Sequence, residues 1–163
     1  MIYITGDKHA DFYEVCCFCK KEKTNISDLM IILGDAGINY FNDPRDYKLK
    51  KELSECNITF FCVHGNHEER PEKIKTYKTK EFHNGIVYYE EEYPNILFAK
   101  DGEVYSLNNK SVLVIGGAYS IDKEYRIKYG YCWYETEQPN ADIKKRVFKA
   151  IKNKNGFIAL PAC

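Results

Sequence analysis

No apolar run in the 163 residues approaches the roughly 20 that a membrane-spanning helix needs. The N-terminus lacks a basic segment and meets a carboxylate at Asp7, so no secretory signal is read there. An excess of one charge is also missing. Lys and Arg number 24 and Asp and Glu number 24, a formal net charge of zero. Surfaces that grip nucleic acid or anionic membrane favour excess Lys and Arg, so neither partner is expected. Internal repeats, low-complexity tracts and linkers are absent, which points to one domain over residues 1–163. What is present suits a globular chain: 44% hydrophobic and 29% charged residues exclude disorder. The expected location is the cytoplasm.

Seven cysteines is a high and odd number. Without a secretion signal they are expected to be reduced. Cys16 and Cys19 make a CxxC on a helical stretch, but no second Cys or His pair completes a zinc site. The thiols are read as small hydrophobes that pack. Cys163 carries no reading of its own.

Strand and helix signals alternate along the first half. Residues 1–5 are a short apolar run stopped at Gly6. Residues 11–23 place Phe12, Val15, Cys16 and Cys19 on one helical stripe. After a turn at Asn25 to Asp28, Leu29 to Leu33 is a continuous apolar run stopped by Gly34. A charged helix follows over 45–56, then a third apolar strand from Ile58 to Val63, stopped by His64-Gly65. Uninterrupted apolar strands are buried on both faces, as in a parallel sheet covered by helices. The second half reads as short strands: Gly85 to Glu90, Ile96 to Ala99, Glu103 to Leu107 and Ser111 to Ile115. Turns are expected at Pro94-Asn95, Asp101-Gly102 and Asn108-Asn109. Residues 117–140 read as a long Tyr-rich loop, of the kind that is more often functional than idle. Ala141 to Asn153 is a helix with Ile143, Val147, Phe148 and Ile151 on one face, and Phe157 to Leu160 begins one more strand. The fold class is α/β with mixed sheets. The basic stretches Lys48-Leu49-Lys50-Lys51 and Lys144-Lys145-Arg146 are read as solvated helix faces.

The polar residues that follow the three buried strands carry the chemistry. They are Gly6-Asp7-Lys8-His9, Gly34-Asp35 and Gly65-Asn66-His67-Glu68. In α/β sheets, ligands bind beyond the carboxyl ends of the strands, where all three groups fall. Two carboxylates, an amide oxygen and two imidazoles suit Mn, Fe, Zn or Ni rather than Ca. Each residue also has an ordinary alternative: Asp7 as a cap for the helix at 11–23, Asp35 as a turn residue, Asn66 in a left-handed turn.

In order, these three motifs resemble the calcineurin-like metallophosphoesterases. The stretch Gly116 to Lys123, with Arg126, Trp133 and Glu137-Gln138-Pro139, is similar to a small bacterial and phage-type branch. The resemblance covers Met1 to about Asn155. It implies a sandwich of mixed sheets flanked by helices, and hydrolysis of phosphomonoesters or phosphodiesters by metal-activated water at a dinuclear site. By resemblance, Asp7 and His9 bind the first metal, and Asp35 bridges the two. Asn66 binds the second metal and the substrate phosphate, and His67 assists the leaving group as the catalytic residue. Tyr119 and Arg126 are placed at the substrate phosphate, with packing and a surface ion pair as their alternatives. Members of the family carry further histidines after another strand, and His64 and His83 do not match those positions. The chain is therefore expected to be cut short before them, to hold two, one or no metals, and to pair with a second copy through an exposed C-terminal edge. A catalytically silent remnant of the family is the alternative function.

Overall fold

In a computed structural model, residues 1–153 and 156–161 are described. Cys163 lies outside them. The expected strands appear as β1 (Ile2–Thr5), β2 (Leu29–Leu33) and β3 (Thr59–Val63). The intervening helices are α1 (Tyr13–Glu22) and α2 (Pro44–Ser54). The second half supplies β4 (Lys78–Phe82), β5 (Gly85–Glu90), β6 (Tyr93–Ala99), β7 (Val104–Leu107) and β8 (Lys110–Ile115). It closes with α3 (Lys123–Tyr129), α4 (Ala141–Asn153) and β9 (Ile158–Pro161).

The strands form two sheets. The larger runs β1-β2-β3-β6-β5-β4, and the smaller runs β7-β8-β9. β1, β2, β3 and β6 are parallel, while β5 and β4 are antiparallel additions. Alternate residues of the apolar strands face opposite layers, as strand pleating requires. Met30, Ile32, Phe60 and Cys62 pack with Phe12, Val15 and Leu53 on the helical side. Leu29, Ile31, Phe61 and Val63 pack with Tyr105, Leu107, Val112 and Val114 from the smaller sheet. The apolar runs therefore read as they do because both faces of the larger sheet are covered, one by helices and one by a second sheet.

Several expectations are corrected. Pro94-Asn95 is not a turn but lies inside β6, and the chain reverses just before it. Asn95 is buried and donates from Nδ2 to the carbonyls of Leu53, Cys56 and Ile58 at 3.1–3.3 Å, closing the end of α2. β4 carries no strand signal in the sequence because Lys-Thr-Lys-Glu-Phe is polar. It occupies the sheet edge, where charged residues belong. The expected loop at 117–140 contains α3 and a short 3-10 turn at Glu135–Glu137. α4 buries only Ile143, and Phe148 and Ile151 of its apolar face are exposed. Lys50 is not on a solvated face. It is buried and paired with Glu90 at 2.6 Å, because the helix turns this one lysine inward over the ring of Tyr77.

Candidate metal centre

Parallel pairing of β1, β2 and β3 places their carboxyl ends side by side, so the three polar loops converge. The first two are joined through the backbone. His9 N–H donates to Asp35 O at 2.7 Å and Ala10 N–H to Ala36 O at 3.0 Å. The approach is close enough that a Cβ on Gly37 would lie 2.4 Å from the Ala10 nitrogen. The loops are bent to achieve this: Asp7, His9, Ala10 and Asp35 all have φ between 42° and 68°. Non-glycine residues in this left-handed region cost on the order of 1 kcal/mol each, and such residues cluster at functional sites.

Asp35 sits at the centre and is buried. Its Oδ1 accepts the His67 N–H at 2.9 Å, and its Oδ2 stands 3.9 Å from His9 Nε2. Gly65 is required here, since a Cβ would fall 2.1 Å from Asp35 Oδ1 and its backbone nitrogen. His9, Asp35 and His67 each bring one ligand atom to within 4.8 Å of the others. The His9 imidazole and the Asp35 carboxylate are donors that fit a divalent transition metal, with the His67 ring beside them.

The other expected residues stand nearby in different ways. Asp7 is exposed and is not part of that three-residue group. It does not cap α1, whose start at Phe12 has no side-chain cap bond. Asn66 is buried and its Nδ2 donates to Ser120 Oγ at 2.8 Å. Its φ is not in the left-handed region, so that alternative falls.

Arg126 reaches the pocket from α3. Its Nε donates to Asp122 at 2.8 Å, Nη1 to the Tyr40 hydroxyl at 3.2 Å and the Cys132 carbonyl at 2.9 Å, and Nη2 meets His67 Nδ1. With His9, Gly37, Tyr40, Phe41 and His67 it lines a pocket of about 250 Å³. Tyr119 is 60% exposed and does not line that pocket.

The Arg126 contact decides the state of His67. A guanidinium only donates, so the imidazole nitrogen facing it must be the acceptor. In the neutral ring the proton then sits on Nε2. Burial, reinforced by Arg126 and His9 against the pull of Asp35, lowers the His67 pKa and favours that neutral form.

Three residues escaped the sequence reading. Glu68 is fully buried and accepts from Gly37 N–H and Gly65 N–H, both at 3.1 Å, tying the second loop to the third. Burial pushes its carboxyl up to about 7. Arg70 and Asp101 form a buried pair at 2.5 Å. Arg70 also donates to the Thr136 carbonyl at 2.7 Å, and Asp101 accepts from Gly116 N–H at 2.6 Å, fixing the β8 exit loop against the third loop. The adjacency of Glu68-Glu69-Arg70 to the Asn-His pair was the only available signal. Asp101 looked like an ordinary turn residue. His64 is buried beneath this loop with neither ring nitrogen hydrogen-bonded among the described residues, and burial holds it neutral.

A search of curated proteins finds no match. The sequence profile of one family, described as calcineurin-like phosphoesterase, matches residues 1–155. With that match over nearly the whole chain, and strand-end loops of the kind the family uses, the protein belongs to the calcineurin-like phosphoesterases.

Proposed function

We propose that this chain hydrolyses phosphate esters in the pocket between His9 and Arg126, with a divalent transition metal held by Asp35 and His9. The observation that carries the reading is the convergence of His9, Asp35 and His67 within 4.8 Å, in a chain of this family. A metal bound there supplies Lewis acidity toward the phosphoryl group and lowers the pKa of water. Mn, Fe, Zn and Ni all suit the donors. Asp7, one strand away, and the Asn66 oxygen are the further ligands toward one or two ions. The bond from Asn66 Nδ2 to Ser120 supports this reading, since it commits the amide nitrogen to a protein partner.

The remaining steps belong to the protein. Asp35 anchors the third loop through His67 N–H and would be the carboxylate ligand of the ion. His67 presents Nε2–H to the leaving-group oxygen as a hydrogen-bond donor that stabilises its developing charge, and the departing oxygen takes its proton from solvent water. Arg126 holds Nδ1 as the acceptor and thereby sets this tautomer. Three of its five N–H groups are engaged by Asp122, Tyr40 and Cys132 and one by His67, which leaves one for a phosphate oxygen. Tyr119 is too exposed to clamp the substrate by itself and serves at the rim.

The test pairs metal content with turnover of p-nitrophenyl phosphate and bis-p-nitrophenyl phosphate after purification in Mn-containing buffer. Asp35→Asn retains the acceptor for His67 N–H but removes the anionic ligand. We expect at least one ion per wild-type chain, turnover, and loss of both in the variant. Wild-type protein without ion and without turnover would mean the fold persists as a silent member of its family.

A further inference from the structure

Away from the pocket, two thiols meet across α1 and the end of α2. Cys16, on α1, and Cys56, just past α2, bring their Sγ atoms to 3.1 Å. The pair needs to close by only about 1 Å more to reach the length of a disulfide bond. Both thiols are half-buried. Both line a cavity of about 480 Å³, where Lys20 and Lys23 stand on the α1 side and Glu52 and Glu55 on the α2 side. Among the described residues these thiols belong to no group of three ligand atoms close enough to share a metal.

We propose that Cys16 and Cys56 form a reversible disulfide by exchange with a low-molecular-weight disulfide of the glutathione class admitted by this cavity. The Cys16 thiolate attacks one sulfur of the small disulfide. That S–S bond breaks, one small thiolate leaves and takes up a proton, and a mixed disulfide remains on Cys16. Cys56 then gives its proton to water and attacks Cys16 Sγ, expelling the second small thiol. Two protein thiols are oxidised and one small disulfide is reduced to two thiols, so no other oxidant is needed.

In the proposed order Cys16, on α1 beside Lys20 of the cavity wall, attacks first. Burial, with the hydrogen bond to Cys16, pushes the Cys56 thiol up to about 12, which makes it a poor first nucleophile. It acts second, when its target sulfur is already beside it. Cys19 lines the same cavity, but its thiol is buried and raised by that burial. Closing the bridge fastens α1, which starts just after the His9 loop, to the far end of α2, which starts just after the Asp35 loop. The proposal does not depend on the phosphoesterase reading.

The experiment equilibrates the native full chain with graded ratios of oxidised to reduced glutathione. Remaining thiols are then alkylated, and the digest is mapped by mass spectrometry. We expect alkylation of Cys16 and Cys56 to be lost together as the ratio rises. A linked peptide pair carrying both should appear, and reduction should reverse it. Cys56→Ser should accumulate glutathione on Cys16, while Cys17→Ser and Cys132→Ser should behave as wild type. Full alkylation of both thiols in the folded wild type at every ratio would overturn the proposal. So would a bridge from Cys16 to Cys19, or glutathione that collects on Cys56 in a Cys16→Ser chain but never on Cys16 in the Cys56→Ser chain. The wild-type mapping needs no variant, so a variant that misfolds leaves the decision intact.

Discussion

The segment from His64 to Arg70 and the segment from Ser120 to Tyr131 meet at one pocket but are held there in opposite ways. In the first, every residue is buried or half-buried, the Gly65 and His67 N–H groups donate to Glu68 and Asp35, and Arg70 pairs with Asp101. In the second, α3 has seven residues and buries none of them. A helix that short is not stable alone. It is fastened by the Arg126 side chain and closed by Gly130, whose N–H donates to the carbonyls of Arg126 and Ile127. The first segment is placed by buried backbone bonds and an ion pair, while α3 is held by one guanidinium, with Ser120 just before it tied to Asn66. Stability should therefore be lost through the first, and catalytic geometry through the second.

The strongest test removes Arg70. Arg70→Ala leaves Asp101 buried without its cation, and breaking such a pair costs roughly 3–5 kcal/mol. A large fall in the denaturant midpoint is expected, and an unchanged midpoint would break the contrast. The same region carries a pH signature. The Glu68 carboxyl is raised from 4.5 to about 7, so the folded chain holds its proton across that window. The stability it contributes is present below 4.5 and lost as pH rises through 7, a change on the order of 3 kcal/mol. In calorimetry, wild type should lose stability between about pH 4.5 and 7 relative to Glu68→Gln. Parallel profiles would sink the assignment.

In the second segment, Arg126→Ala should lower turnover roughly 10²-fold by releasing the His67 ring. Its effect on stability should be small, about 1 kcal/mol or less. An Arg126 variant that melts far below wild type would show that α3 is structural after all. The smallest effect belongs to Tyr119→Ala at the exposed rim, where both turnover and stability should stay near wild type. Surface changes of this kind fall within about 0.5 kcal/mol.

Much of this arrangement was legible beforehand. The apolar runs at 1–5, 29–33 and 58–63 marked three strands, of which 29–33 and 58–63 are covered while 1–5 lies at the sheet edge with Ile4 exposed, and the glycines after them marked where the chain turns. The residues after those turns marked the loops that converge, because parallel strands deliver their exits to one end. The weaker reading was of pairs. A polar edge strand such as β4 has no hydrophobic pattern to read. Lys50 looks like its exposed neighbours Lys48 and Lys51 until the helix is docked.

The sequence alone determined the order of the first three strands and the two helices between them, the double-sided burial of the central strands and the neighbourhood of Asp35, His9 and His67. These follow from local periodicity and from glycine at sharp turns, which act over a few residues. Only the tertiary structure decided which charges are buried, which nitrogen of His67 carries the proton and which two of the thiols meet. Those outcomes depend on partners far apart in the chain: 31 residues separate Arg70 from Asp101, 40 separate Cys16 from Cys56, and 59 separate His67 from Arg126. Desolvation and hydrogen bonding act on distance in space, and distance along the chain does not record it.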